Sequence, residues 1–542
     1  AKKGSARSRK ESGGDRRAGE RHRQKRAGER ARASALLRTM GAFVLGASWL
    51  SFLLLLLLLF LLLVVSLSGR TRRPDEPPLD RGHIPWLGHA LAFGKDAAKF
   101  LSEMKEKHGD IFTVQVAGKF ITVLLDPLSY EVVLWESCAK LDFGQYARIL
   151  MKRMFDVTLP NYDSNEEKAM LRPTLKDKNL HSLTKAMCLN LQTILLPGPD
   201  GASGQWKEEG LFQLSYRTMF RAGFLTLYGN ESKDYEDVNC QAKDRAHSME
   251  VYNAYYKLDR FLMKAARSTL SVVEKQNFYN IRKDLWNFFS MERLDSRANQ
   301  SVWLTIYKEH LVDLGVNEDM QTRAMSNAGP AVFWLLLFLL KHPPVMAAVQ
   351  AEMEKLFRNR RLATRPTCEI LNQDVLDSTP IFDSALNETL RLTAAPFISR
   401  EVLQDMALRL TAGREYHLRK GDRLCLFPFI SPQRDPGIYK EPEKFIYNRF
   451  LNSDGTEKKD FYKGGQRLKY YNMPWGAGIN VCIGKFFAVN SIKLCVFHLL
   501  NCFDVELIDP AKEIPGFDKE RYGFGMLQPE TDVRIRYKLK DQ

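Results

Sequence analysis

Residues Gly41 to Leu67 carry no charged side chain and include the run FLLLLLLLFLLLVV. At 27 residues the segment exceeds the roughly 20 that cross a bilayer as a helix. A secretory signal has a shorter apolar region followed by a small-residue cleavage site. Residues 40–69 therefore read as a retained membrane helix, and they divide the chain. Before them lies a basic stretch, 1–39, rich in Arg, Lys, Gly, Ala and Ser and without an apolar period, which is expected to be disordered. Met40 directly precedes the run and reads as the natural start, with 1–39 upstream of it. Arg70, Arg72 and Arg73 follow the run, so the positive-inside rule keeps residues 70–542 in the cytosol.

The net charge of +16 is unevenly spread. Residues 1–40 hold 14 Lys/Arg against 4 Asp/Glu, a net +10, which leaves +6 for the other 502 residues. A nucleic-acid partner would rest on the tail alone and is not expected. The eight cysteines, at 138, 188, 240, 368, 425, 482, 495 and 502, include no Cys-x-x-Cys. That spacing argues against a zinc site and a dense disulfide framework, and it suits a reducing compartment.

RPDEPPLDRGHIP (73–85) is rich in proline and reads, within 70–85, as a stiff linker. Beyond it, 86–542 reads as one domain without internal repeats. Helical patterns cover 97–108, 183–196, 331–340, 345–357, 380–392 and 484–500. Strand-like runs at 111–116, 120–125, 407–410, 416–418 and 533–537 are fewer. The expectation is a mostly α domain with small β-sheets.

In PWGAGINVCIGKFF (474–487) one cysteine, Cys482, stands between glycine-containing turns. It could be core, half of a disulfide, a metal ligand, a nucleophile or a haem thiolate. Gly476, Gly478 and Gly484 let the backbone turn sharply and lie flat against a bulky ligand. The N-terminus of the following helix favours a thiolate. Farther upstream, NETLR puts Glu388 and Arg391 at i, i+3, which alone describes a surface pair stabilising by about 0.2–0.5 kcal/mol. Arg449 in EPEKFIYNRFL means little by itself.

Together, Glu388, Arg391, Arg449 and WGAGINVCIG (475–484), in that order and spacing, resemble the cytochrome P-450 family, from the prolines at 77–78 almost to the last residue. The resemblance implies that fold and a haem b held by Cys482 as axial thiolate. Trp475, Gly476, Gly478 and Gly484 would lie around the haem, and Glu388, Arg391 and Arg449 would form a buried charge cluster holding the haem-side loops. The chain departs from the pattern in two places near the cysteine. Trp475 stands for the usual Phe, and Asn480 stands for the Arg that usually meets a haem propionate. Lys176 and Lys178 are candidate replacements. In the oxygen-activating helix, SNAGPAVFWLLLFLL (326–340), Gly329 and Pro330 occupy the positions of the family's acid and alcohol. Pro330 is expected to kink that helix. The preceding NEDMQTRAMS (317–326) is polar, and against the family pattern about two turns of apolar helix are missing there, at 3.6 residues per turn.

Within the family, LLDPLSYEVVLWE, RLTAAPFISRE, FPFISPQRDP and RYGFGMLQP resemble the branch that isomerises prostaglandin H2 to prostacyclin. This implies an endoplasmic reticulum membrane protein that takes a lipid endoperoxide and needs neither NADPH, O2 nor a reductase. Asn327 would contact the endoperoxide, and Ala395, Pro396, Phe397, Met526 and Leu527 would line an apolar channel. IPWLGHALAFGK and LDFGQYA fit a sterol 12α-hydroxylating branch equally well. That alternative needs a reductase docking near Lys463, Lys469, Lys485 and Lys493. A third reading is an inactive membrane protein with a shortened distal helix.

Overall fold

The computed structural model describes residues 28, 30, 34–36, 49, 51–63, 69–158, 163–196, 204–315, 327–358 and 371–540. Two compact units divide between Thr71 and Arg72. In the first, Ser51–Leu63 is an apolar helix with exposed leucines. Among the described residues no single helix is long and apolar enough to cross a membrane. The basic tail, apart from a few helical residues, the flanks of the apolar run and the polar stretch 317–326 lie outside the described residues.

The second unit is mostly helical with small sheets. Its helices that bear on the site are α1 (Ala97–His108), α2 (Gly144–Phe155), α3 (Ser164–Leu171), α4 (Asp177–Leu195), α5 (Leu211–Tyr228), α6 (Val238–Ala266), α7 (Ala328–Lys341), α8 (Pro343–Arg358), α9 (Pro380–Thr393) and α10 (Lys485–Cys502). Local signals set several ends. The Asp96 carboxylate accepts the Lys99 N–H at 3.0 Å to start α1, and Gly109 at φ +86° ends it. Pro380 opens α9 at a position whose N–H would have had no helical partner.

The strands, apart from a short hairpin of Tyr462–Lys463 with Gln466–Arg467, are β1 (Leu79–Asp80), β2 (Ile111–Val116), β3 (Lys119–Leu124), β4 (Leu141–Asp142), β5 (Lys207–Gly210), β6 (Ile398–Val402), β7 (Met406–Arg409), β8 (Glu415–Leu418), β9 (Arg423–Leu426), β10 (Phe503–Leu507) and β11 (Arg534–Leu539). The largest sheet has the order β1-β2-β3-β9-β6-β4. A smaller one, β10-β11-β5, carries the last strand back across the chain.

Residues 73–85 are not a free linker. Leu79 and Asp80 pair in parallel with Thr113 and Val114. Glu76 is buried and takes the Arg419 guanidinium, with Nη2 donating to Oε2 at 3.0 Å. A carboxylate and a backbone edge with partners in the domain outweigh the stiffness of the prolines.

Helix α7 is the centre of the core. AGPAVFWLLLFLLK is apolar all round, so every face must be covered by protein. It packs on α5 and touches α8, α9 and α10. The contact with α5 is close: a Cβ on Gly329 would come 2.8 Å from the Tyr216 Cα and 2.6 Å from its ring. Pro330 does not kink the helix. The described helix begins at Ala328, so Pro330 sits in its first turn, where no N–H bond is lost. Helices α5 and α6 carry no clean apolar period, and the strand-like and helical patterns expected from sequence passed over both. Almost all of α5 is buried, which erases the polar face that periodicity detects.

Candidate active site

Cys482 lies in the loop leading to α10. The loop is closed by backbone bonds, Cys482 N–H to Trp475 O at 2.9 Å and Val481 N–H to Gly478 O at 3.4 Å. Gly476 and Gly478 take φ of +71° and +66°, where a side chain is strained. A Cβ on Gly478 would sit 2.6 Å from the Leu134 carbonyl oxygen. Gly478 thus lets the loop pass the segment Tyr130–Leu134 and does not itself line the site.

Cys482 borders a cavity of about 450 Å³, with Trp475, Gly476, Asn480 and Gly484 beside it. One wall is α5, through Met219, Phe220, Gly223, Phe224 and Leu227. The N-terminus of α7 contributes Asn327, Ala328 and Ala331. Pro396, Phe397 and Met526 also line it. Ala395 and Leu527 do not; they are fully buried in the core beside it. Their backbones, rather than their side chains, serve the site. The Ala395 N–H donates to Gly525 O at 2.8 Å, and Leu527 O accepts from the Trp334 indole at 2.7 Å.

The helix terminus does not make Cys482 acidic. Burial pushes its thiol up from the ordinary value, and the Gly484 backbone N–H and the charge of Lys168 pull it down by less. A thiolate here calls for a bound cation, since a metal displaces the proton of a coordinating thiol.

Glu388, Arg391 and Arg449 stand away from the cavity. Arg391 Nε and Nη2 donate to the two oxygens of Glu388 at 2.7 and 2.9 Å. Arg449 Nε donates to Oε1 at 2.9 Å, as does the Ile446 N–H at 3.0 Å. The spare donors go to carbonyls of 433–444, including Pro442 O at 2.7 Å and Lys440 O at 2.7 Å. Both guanidiniums lie over the Tyr439 ring. The cluster ties α9 to the loop that precedes the cysteine loop.

Lys176 and Lys178 are exposed and do not line the cavity. Two other cations stand near it, one in its lining and one bonded to Asn480, which lines it. Arg400, in β6, lines it; the residue is 3% exposed, Nη1 donates to Ser399 O at 2.8 Å, and Nη2 has no partner. Among the described residues Arg400 forms no ion pair. Lys168 Nζ donates to Asn480 Oδ1. Burial and the positive charge of Arg400 bring Lys168 down to about 8. Two desolvated cations that disfavour each other are a natural seat for an anion. A macrocycle bearing carboxylates fits this arrangement: an orphaned guanidinium N–H, a lysine beside Asn480, and a cysteine sulfur on one cavity. Sequence reading missed Arg400 because β6 is buried along its whole length, so no alternation marks which way its side chains face. Lys493, offered as a docking residue, is buried and paired with Asp383 at 2.6 Å.

Residues 320–535 match the family model described as Cytochrome P450. The chain is 55% identical over 480 residues to the prostacyclin synthase of Rattus norvegicus, covering 86% of this chain and 95% of the relative. It is 54% identical to that of Homo sapiens over 87% and 95%. The chain belongs to the cytochrome P450 family. At 39% identity it also resembles a 7-alpha-hydroxycholest-4-en-3-one 12-alpha-hydroxylase of Oryctolagus cuniculus, over 87% of this chain and 95% of the relative. The cofactor of this P450 is haem.

Proposed function

We propose that this P450 isomerises prostaglandin H2 to prostacyclin, with Cys482 as the residue that would hold the haem through its sulfur and no NADPH, O2 or reductase consumed. The identity to prostacyclin synthases, well above that to the 12-alpha-hydroxylases, supports the substrate. That difference in identity is the observation that carries an isomerase over a monooxygenase, and the cavity lining permits it. Among the described residues no Asp or Glu borders it, and Gly329 and Pro330 replace the proton-delivering pair. Gly329 cannot accept an acid without moving α5, because its missing Cβ is already the Tyr216 contact.

Haem bound here supplies one-electron cleavage of a peroxide O–O bond, favoured by thiolate ligation. The protein's part is placement. Asn327 offers the one amide at the start of α7 to an endoperoxide oxygen. Met219, Phe220, Phe224, Pro396, Phe397 and Met526 surround the lipid and keep water out. Trp475, Gly476 and Gly484 would lie beside the haem, Arg400 and Lys168 would take its carboxylates, and the Glu388 cluster would act from a distance by fixing the loop. The charge-free run before Arg70 anchors the chain once in the endoplasmic reticulum membrane, with the catalytic domain cytosolic.

The test is product formation from prostaglandin H2 by purified, haem-loaded protein without NADPH. Prostacyclin, followed as its hydrolysis product, is the expected result. A normal thiolate–haem spectrum without turnover, together with sterol hydroxylation once a reductase is added, would overturn it.

A further inference from the structure

The segment RYGFGMLQ, 521–528, reaches the cavity through Gly525 and Met526. Two of its glycines permit close approach. Gly523 and Gly525 both take φ of +98°, and their missing Cβ atoms would meet the Phe397 ring at 2.3 Å and the Asn327 amide at 3.0 Å. The Met526 N–H donates to Asn327 Oδ1 at 3.4 Å. With its oxygen turned to that backbone donor, the Asn327 side chain keeps its NH2 for another partner.

Both ends of this segment meet one carboxylate. Asp259, on α6, is 4% exposed and lines nothing catalytic. Arg521 Nη2 donates to its Oδ2 at 2.6 Å and Nη1 to its Oδ1 at 3.3 Å. Gln528 Nε2 donates to Oδ2 at 3.2 Å. Arg521 is itself 8% exposed. A buried carboxylate with a forked guanidinium is costly unless fully bonded, and removing one partner leaves the other uncompensated. We propose that Asp259 is a positioning residue for the isomerisation: by gripping Arg521 and Gln528 it clamps the two stems of the 521–528 loop and so fixes the Asn327 amide toward the bound endoperoxide. The proposal rests on the isomerase reading only for its last step.

The experiment uses the haem-loaded full chain and the variants Asp259→Asn and Arg521→Lys. Asparagine keeps an acceptor for Gln528 but drops the charge, and lysine keeps the charge but not the fork. Two readouts are taken: amide hydrogen exchange across 522–527, and the share of consumed prostaglandin H2 recovered as prostacyclin rather than as other products. Expected in both variants is exchange about tenfold faster in the loop, as local opening becomes easier, with an unchanged thiolate–haem spectrum and a lower prostacyclin share. A merely structural loss would reduce the amount of active enzyme and leave the share alone. Should Asp259→Asn not fold, Arg521→Lys decides by itself. Unchanged loop exchange, or an unchanged share with faster exchange, overturns the clamp. If the wild-type protein makes no prostacyclin, the isomerase reading falls separately, and loop exchange still decides whether Asp259 holds the loop.

Discussion

Two groups of charge, one around Glu388 and one at Arg400 and Lys168, are built on opposite rules. Around Glu388 each carboxylate oxygen meets a guanidinium N–H, and the surplus donors of Arg391 and Arg449 all end on backbone carbonyls. Beside the cavity Arg400 and Lys168 are desolvated cations; among the described residues Arg400 forms no ion pair, and one of its nitrogens is idle. The first group is complete, so it can only hold structure. The second is incomplete, so it is available to a ligand. A buried charge left unpaired is expensive, and a fold keeps one where something else arrives to pair it.

The largest expected effect comes from breaking the complete group. Glu388→Gln leaves two buried guanidiniums without a counter-charge and should destabilise by about 3–5 kcal/mol. We expect little soluble haem-bound protein; a thermal midpoint within a few degrees of wild type would sink the idea that the cluster holds the loop. The incomplete group should respond in the reverse sense. Arg400→Met removes an uncompensated buried charge, so the haem-free protein should be as stable or more so. Haem affinity should fall by about tenfold to a hundredfold, the loss of one charge-assisted bond of about 1.5–3 kcal/mol. Haem titration and calorimetry on the same sample check both halves, and a parallel fall in stability and affinity would erase the contrast.

Gly329→Ala sharpens the comparison from the apolar side. Its methyl group must displace the Tyr216 backbone, at a cost of about 1–3 kcal/mol. Denaturant melts read this directly, and a neutral result would mean that α5 yields. The smallest effect belongs to Asp80, a carboxylate with one lysine and two histidines as neighbours. His89 Nε2 at 2.8 Å, Lys107 Nζ at 2.7 Å and His108 Nε2 at 3.2 Å, with the Gly82 N–H, hold it well below its ordinary value against the opposing push of burial. A lowered folded-state value adds stability above the ordinary carboxylate range and loses it as pH falls through and below about 4. Asp80→Asn should therefore cost about 1 kcal/mol or less near neutrality and nothing in strong acid. A gap between the two proteins that stays constant from neutral to acid pH would rule this out.

Legibility followed the range of the interaction. The ends of α1 and α9 were readable because Asp96, Gly109 and Pro380 act on their own turn. Helix α7 was readable because an all-apolar helix has few places to go. Residues 73–85 were misjudged since the partners that fasten them, Thr113, Val114 and Arg419, lie far along the chain. The same reason separates Pro396, Phe397 and Met526, which line the cavity, from Ala395 and Leu527, which do not. In so short a stretch, which side faces inward is set by what packs behind it.

The sequence alone determined the family and its haem, and it singled out the cysteine proposed to hold that group. Order and spacing of Glu388, Arg391, Arg449 and Cys482 are local patterns strung in a line, and a line of motifs survives without coordinates. Only the tertiary structure decided which charges are paired. Asp259 meets Arg521 across 262 positions, and Lys168 meets Asn480 across 312. A charge's partner depends on what comes within a few ångströms once water is excluded, and no pattern along the chain records that distance.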